Sequence, residues 1–308
     1  MNKDSKIFVA GHRGLVGSAI VRVLKEMGYT NILTRTRNEL NLLNQSDVFD
    51  FFNNEKPEYV FDAAAKVGGI YANDTYSADF IYENIQIQTN LIHSAWKFGV
   101  KKFLFLGSVC IYPKYAEVPV REESLLTGHL EPTNDAYAIA KISGIKMLQA
   151  YHKQYGMKSV SLMPSNLYGP GDNFHPDNGH VIPAMIAKFE QAKEYKRKNV
   201  KLLGTGKPLR EFIHANDLAE AIFFCLKIRK NLLKKIFKSN LPIINVGTGD
   251  EISIRSLSKL IANFIGYKGK IIFDKSLPDG TFRKGLDSSK IKNLGWEPKI
   301  NFKLGLRK

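Results

Sequence analysis

The chain has 308 residues, 44% hydrophobic and 24% charged, the balance of a folded protein with room for one large domain or two modest ones at about 150 residues each. A disordered chain, a fibrous repeat and a disulfide-built mini-domain are excluded, the last because Cys110 and Cys225 alone cannot form a framework. The net charge of +16 attracts anions of any kind, but its dense runs, Lys193 to Lys198 and Arg229-Lys230 with Lys234-Lys235, look like a loop and a helix end and come without any nucleic-acid-binding signature.

The first five residues run straight into strand-like Lys6 to Ala10, leaving no space for a secretion signal, and no apolar run reaches the roughly 20 residues of a membrane span. A reduced, cytoplasmic protein with no membrane partner is the expectation. Further strand-like runs follow at Ile32 to Thr34, Tyr59 to Asp62, Phe103 to Leu106 and Ser159 to Met163, with helical patterns between them. In the helical stretch Leu15 to Met27, Val16, Ala19, Ile20, Val23 and Leu24 form one apolar stripe. Such alternation predicts a parallel sheet covered by helices. Regularity breaks after Tyr168-Gly169-Pro170-Gly171, while helix-like Asn216 to Ile228 and strand-like Pro242 to Val246 are suited to rejoin the main sheet. The expected class is α/β, a doubly wound parallel sheet over residues 1–167 and about 212–246, with a smaller α/β C-terminal domain over 168–211 and 247–308.

Gly11, His12, Arg13, Gly14, Leu15, Val16 and Gly17 link the first strand to the first helix. Glycines there permit a tight turn and close approach of a pyrophosphate, and the helix N-terminus supplies unpaired N–H groups, so a dinucleotide site is expected, with a purely structural turn as the alternative. Where an NAD binder places a carboxylate after the second strand, this chain has Thr34-Arg35-Thr36-Arg37. Arg37 and Arg13 favour the extra phosphate of NADP(H), unless they are ordinary surface arginines.

Tyr137 and Lys141 stand four apart in a helical stretch, on one face. An ammonium beside a phenol lowers its pKa, which would make Tyr137 a general acid toward a ketone oxygen, and Ser108 follows a strand at the sheet edge where it can bind the same oxygen. Each also reads as an ordinary surface pair or turn. Cys110 and His180 suit a base-acid pair for protons beside a ketone, although a buried thiol and a helix-start histidine are common structural features. Cys225 lies in an apolar helix and reads as core, and neither His175 nor His180 has the neighbours of a zinc site.

The glycine loop, Ser108 and the Tyr137/Lys141 pair together resemble the extended short-chain dehydrogenase/reductase family, built on a Rossmann-type sheet, whose catalytic set is a Ser, a Tyr and a Lys. Ala63-Ala64-Ala65-Lys66-Val67-Gly68-Gly69-Ile70, Cys110-Ile111-Tyr112-Pro113-Lys114, Glu131-Pro132-Thr133-Asn134, Asn166-Leu167-Tyr168-Gly169-Pro170 and Asp172-Asn173-Phe174-His175-Pro176 narrow this to the members that turn GDP-4-keto-6-deoxy-D-mannose into GDP-L-fucose with NADPH. That resemblance implies Ser108, Tyr137 and Lys141 for reduction, Cys110 and His180 for epimerisation, and a GDP-sugar substrate domain. It implies cofactor contacts from the glycine loop, Arg37, Asn38, Leu40, Asn41, Leu42, Ala64, Leu106, Gly107, Ser108, Tyr137, Lys141, Pro164, Asn166, Leu167 and His180. Substrate contacts would come from Lys188, Leu203, Arg210 and Asp279, with Leu203 in place of a common aromatic residue and Lys188 in place of a more usual arginine. A homodimer through Asn84 to Phe98 and Asp135 to Tyr155 is a further implication, with neither nucleic acid nor metal. The competing readings are another nucleotide-sugar epimerase or dehydratase of the family, and an NADP-binding sensor docking nucleic acid through its basic surface.

Overall fold

The computed structural model describes residues 1–228, 243–277 and 279–307. Ile7-Phe8-Val9-Ala10 is apolar at every position, as a strand covered on both faces must be, and forms β1 (Ile7–Ala10), buried throughout. On either side of it, parallel, lie β2 (Ile32–Leu33) and β3 (Tyr59–Asp62). β4 (Lys102–Leu106) pairs with β3, and β5 (Ser159–Pro164) with β4. Because the chain crosses from β2 over β1 to β3, the strand order reverses there and opens a crevice at the carboxyl ends of the strands.

Alternate strand residues feed two cores. Phe8, Val60, Phe103 and Phe105 pack under α2 (Gln45–Glu55), α4 (Ser77–Lys97) and α5 (Asp135–Tyr155), while Ile7, Val9, Phe61 and Leu104 pack under α1 (Leu15–Glu26). The short α3 (Ile70–Thr75) precedes α4. Register sets Asp62 beside Ala10 on one side and beside Phe105 on the other, so the Asp62 and Phe105 side chains share the face that α5 covers.

The second half builds a smaller layer. β6 (Asn166–Tyr168) runs parallel to β8 (Leu209–His214), which pairs antiparallel with β10 (Glu251–Ser253). Between them α6 (Val181–Glu194) leads to β7 (Asn199–Leu203), which pairs in parallel with the distant β11 (Lys270–Asp274). α8 (Ile254–Ile265) starts with Ser253, whose Oγ accepts the Ser256 N–H, buries Leu257, Ile261 and Ala262 against Phe189 of α6, and stops at Gly266 with φ 78°. Two elements return to the main sheet, α7 (Ala215–Lys227) beside α1 and β9 (Ile243–Val246) beside β5. Two short helices, α9 (Ser289–Asn293) and α10 (Phe302–Gly305), close the described chain.

The expected strands of the first half and the helices expected over Leu15 to Met27, Asp135 to Tyr155 and Asn216 to Ile228 lie within two residues of their expected ends, whereas the helix expected from Asn84 starts at Ser77 and Pro242 lies outside the described residues. The domain cuts do not coincide with strand ends: 167/168 falls inside β6 and 211/212 inside β8. Leu286, Ile291 and Trp296, expected with the smaller domain, pack into the two main cores instead. Of the basic runs, Lys193 to Lys198 straddles the end of α6 on the surface, whereas Arg229, Lys230, Lys234 and Lys235 lie outside the described residues. Among the described residues no helix is long and apolar enough to cross a membrane.

Candidate active site

The turn from β1 into α1 is pressed against the end of β3. Gly11 has φ +76°, and a Cβ there would stand 2.6 Å from the Ala63 carbonyl oxygen, while a Cβ on Gly17 would overlap the Gly11 carbonyl. Only glycine fits such contacts. α1 begins at Gly14 without a side-chain cap and without an acidic residue in its first turn, so its unpaired N–H groups and dipole are left for an anion. The cradle therefore fits a dinucleotide pyrophosphate. Burial, reinforced by the Arg13 charge, pushes the His12 imidazole below its ordinary pKa. Arg35 is tied to Glu55 at 2.6 Å, whereas Arg37 is 73% exposed with Glu83 3.8 Å away, which leaves Arg13 and Arg37 as the guanidinium groups open to a further phosphate.

Asn38 and Asn41 are exposed and Leu42 half-buried, but Leu40 is buried in the main core. The Leu40 side chain packs inward, and its N–H donates to the Thr36 carbonyl at 2.9 Å. Leu106, Gly107, Ala64, Pro164, Asn166 and Leu167 line the carboxyl edge of the sheet. There the Gly107 N–H donates to the Leu162 carbonyl at 2.9 Å, and Asn166 Nδ2 to the Glu211 carbonyl at 2.9 Å.

Ser108 caps a single 3-10 turn, Val109 to Ile111, and its Oγ accepts the Cys110 N–H at 3.2 Å. The Cys110 Sγ, half-buried, accepts from Asn134 Nδ2 at 3.4 Å. Tyr137 and Lys141, one turn apart on α5, reach the same edge, with the Lys141 Nζ 4.8 Å above the Phe105 ring and 5.9 Å from that of Tyr137. Burial, then the nearby Cys110, pushes the Tyr137 phenol well above its ordinary pKa, and the Ser108 hydroxyl pulls the other way. The Asp62 charge further raises the phenol, and the Lys141 ammonium is itself pulled down by burial and held up by Asp62.

His180 caps α6 from the other half, with Nδ1 3.5 Å from Asp172 Oδ1. Its loop docks on Gly69, whose N–H donates to the Asn178 carbonyl at 3.1 Å and where a Cβ would stand 2.8 Å from the Gly179 oxygen. Lys188 reaches the same loop through Asp177 at 3.6 Å. Arg210 is half-buried; burial pushes its guanidinium down from its ordinary pKa, opposed by Asp279 and by Cys110. Asp279 accepts from the Thr205 N–H at 2.6 Å and from its hydroxyl at 2.7 Å, and Leu203 lies exposed at the end of β7.

A family model described as "NAD dependent epimerase/dehydratase family" matches residues 7–247. The chain belongs to the NAD dependent epimerase/dehydratase family. Within this family it is 56% identical over 305 residues to GDP-L-fucose synthase 1 of Arabidopsis thaliana, covering 99% of this chain and 92% of the relative. It is 50% identical over 301 residues to GDP-L-fucose synthase of Escherichia coli K12, covering 98% and 94%. Among solved structures, MlghC, the GDP-mannoheptose C4 reductase from Campylobacter jejuni with NADP bound, superposes with a TM-score of 0.88 at 40% identity, covering 100% of this chain and 97% of the other.

On this family frame the structure brings Ser108, Cys110, Tyr137 and Lys141 to one strand edge, with Arg210 facing the thiol from the smaller layer, while His180 stands on a separate loop beside Asp172. Sequence reasoning missed Asp62 as a charged group of this pocket. The available signal was a carboxylate closing an otherwise apolar strand, Tyr59-Val60-Phe61-Asp62.

Proposed function

We propose that the protein is an NADPH-dependent epimerase-reductase that converts GDP-4-keto-6-deoxy-D-mannose into GDP-L-fucose. The observation that carries this reading is the seating of Cys110 on the edge that Ser108 occupies: the Cys110 N–H donates to Ser108 Oγ at 3.2 Å, and its Sγ accepts from Asn134 Nδ2 at 3.4 Å just before the helix that carries Tyr137. A reductase alone needs no base at that place. The names of the Arabidopsis and E. coli relatives point the same way.

In epimerisation, Cys110 as thiolate takes a proton from a carbon flanking the ketone, so that a C–H bond breaks and an S–H bond forms. Ser108 and Tyr137 hold the enolate oxygen. His180, as imidazolium, returns a proton from the opposite face and inverts the centre. In reduction, Tyr137 gives its phenolic proton to the carbonyl oxygen; burial keeps that proton in place at neutral pH, and Lys141 compensates the charge left behind. When bound, NADPH supplies the hydride to the carbonyl carbon. The glycine cradle at Gly11 to Gly17, with Arg13 and Arg37 for the additional phosphate, would hold it.

The division of labour follows the topology. The main sheet serves the cofactor, and the smaller layer, through Lys188, Arg210 and Asp279, serves the GDP moiety. Tyr82, Ile139 and Tyr155, exposed on α4 and α5, support a homodimer through these helices, and a working thiol at Cys110 suits a reducing cytoplasm. The test is incubation with NADPH and the ketosugar. GDP-L-fucose with one NADPH oxidised per product supports the reading, a reduced sugar of unchanged D-manno configuration makes the protein a C4 reductase, and no NADPH oxidation overturns it.

A further inference from the structure

Asp62 is 1% exposed and Lys141 is 4% exposed. A carboxylate that far inside is costly unless its lone pairs and charge are matched. Its Oδ1 accepts the Ala64 N–H at 3.2 Å, whereas Oδ2 has no hydrogen-bond partner among the described residues. Register explains what faces it. Asp62 is level with Phe105 on the adjacent strand, on the face that α5 covers, and the Lys141 Nζ rests over that same Phe105 ring. Strand pairing places the carboxylate, and ring contact the ammonium, each beside Phe105, so the two buried charges face one another across that ring's surroundings without a direct ion pair.

We propose that Asp62 is a positioning residue for reduction, the buried counter-charge that keeps the Lys141 ammonium charged and seated behind Tyr137. Burial alone drives Lys141 toward the neutral amine, and Asp62 is the group that opposes it. The carboxyl is itself pushed up to about 6 by burial, against the pull of Lys141 and of the Ala64 N–H, so it is ionised at neutral pH and above. The other titratable group it acts on is Tyr137, which Cys110 also faces from the turn after β4. A buried amine without a counter-charge would deprotonate within the working pH range and leave the tyrosinate formed in reduction uncompensated.

This inference deepens the reductase reading and rests on it for its consequence in turnover, but the charge state of Lys141 can be measured without substrate. In protein carrying ¹³C-labelled lysine, with the Lys141 signal assigned through Lys141→Arg, Asp62→Asn should move the Lys141 titration down by at least one pH unit. The basic limb of NADPH oxidation with the ketosugar should move with it, giving at least a tenfold loss above that limb and a far smaller one near pH 6.5, while solvent deuterium exchange beside the ketone stays within twofold. Asp62→Ala, which removes the carboxyl without adding bulk to a closely packed face, should give the same shift if the asparagine variant folds poorly. An unchanged Lys141 titration in both variants overturns the proposal, as does a pH-independent loss of turnover, which marks a merely structural residue. A wild type that does not oxidise NADPH with the ketosugar overturns the substrate reading instead, and the titration still decides Asp62.

Discussion

Tyr137, on α5, and Cys110, in the turn after β4, serve the same edge of the sheet, yet the chemistry proposed for them separates cleanly. The phenol is raised by burial and so retains its proton until an oxygen more basic than itself forms above it. Tyr137→Phe should therefore lower the rate of ketone reduction by about 10²- to 10⁴-fold, read as NADPH oxidation, while leaving exchange of solvent deuterium into the flanking carbons measurable. Cys110→Ser should do the reverse, cutting exchange by a similar factor while a sugar already epimerised is still reduced; deuterium entering at the normal rate would remove Cys110 from the mechanism. Much of this was legible in the sequence, because a Tyr and a Lys four apart on a helix must share a face whatever the fold. The electrostatics were not legible. Whether an ammonium lowers a phenol depends on the carboxylate beside the ammonium, and Asp62 joins Lys141 only through the register of β3 on β4 and the seating of α5 over both.

At the scale of elements, the join of β1 to α1 is the most constrained turn in the site. A side-chain methyl on Gly17 would have to occupy the Gly11 carbonyl, which is backbone and cannot swing aside. Gly17→Ala should weaken NADPH binding at least tenfold, measured by fluorescence titration, and lower the melting temperature, whereas an alanine at Gly14, whose Cβ would meet its nearest atom at 3.4 Å, should be tolerated far better. Alternating strands and helices in the first half were readable because each carries its own period. The pairing of β7 with β11 was not, since β7 alternates between exposed and buried residues like any edge strand and nothing near it names its distant partner. The same limit explains why the expected cuts fall inside strands: composition changes at Tyr168, but β6 and β8 are held by backbone ladders that composition does not encode.

For the molecule as a whole, the charge of +16 acts on every anion that approaches. Both the proposed cofactor and the proposed substrate are polyanions, so kcat/KM for the GDP-sugar should fall several-fold as ionic strength rises from about 0.02 to about 0.5 M, with kcat little changed, because screening shortens the reach of the field to a few ångströms. Stopped-flow binding at a series of salt concentrations checks this, and a salt-independent association rate would assign the excess charge to solubility alone.

The path of the last described stretch bears on how the protein is made. Leu286 pairs with Val120 and fills the core under β4, Ile291 and Trp296 fill the core on the opposite face, and β9 forms an edge strand of the main sheet. The nucleotide-side half, although it begins at the first strand, stays unfinished until residues 286–296 have been added. A chain cut before Leu286 therefore leaves apolar surface on both faces of the main sheet uncovered.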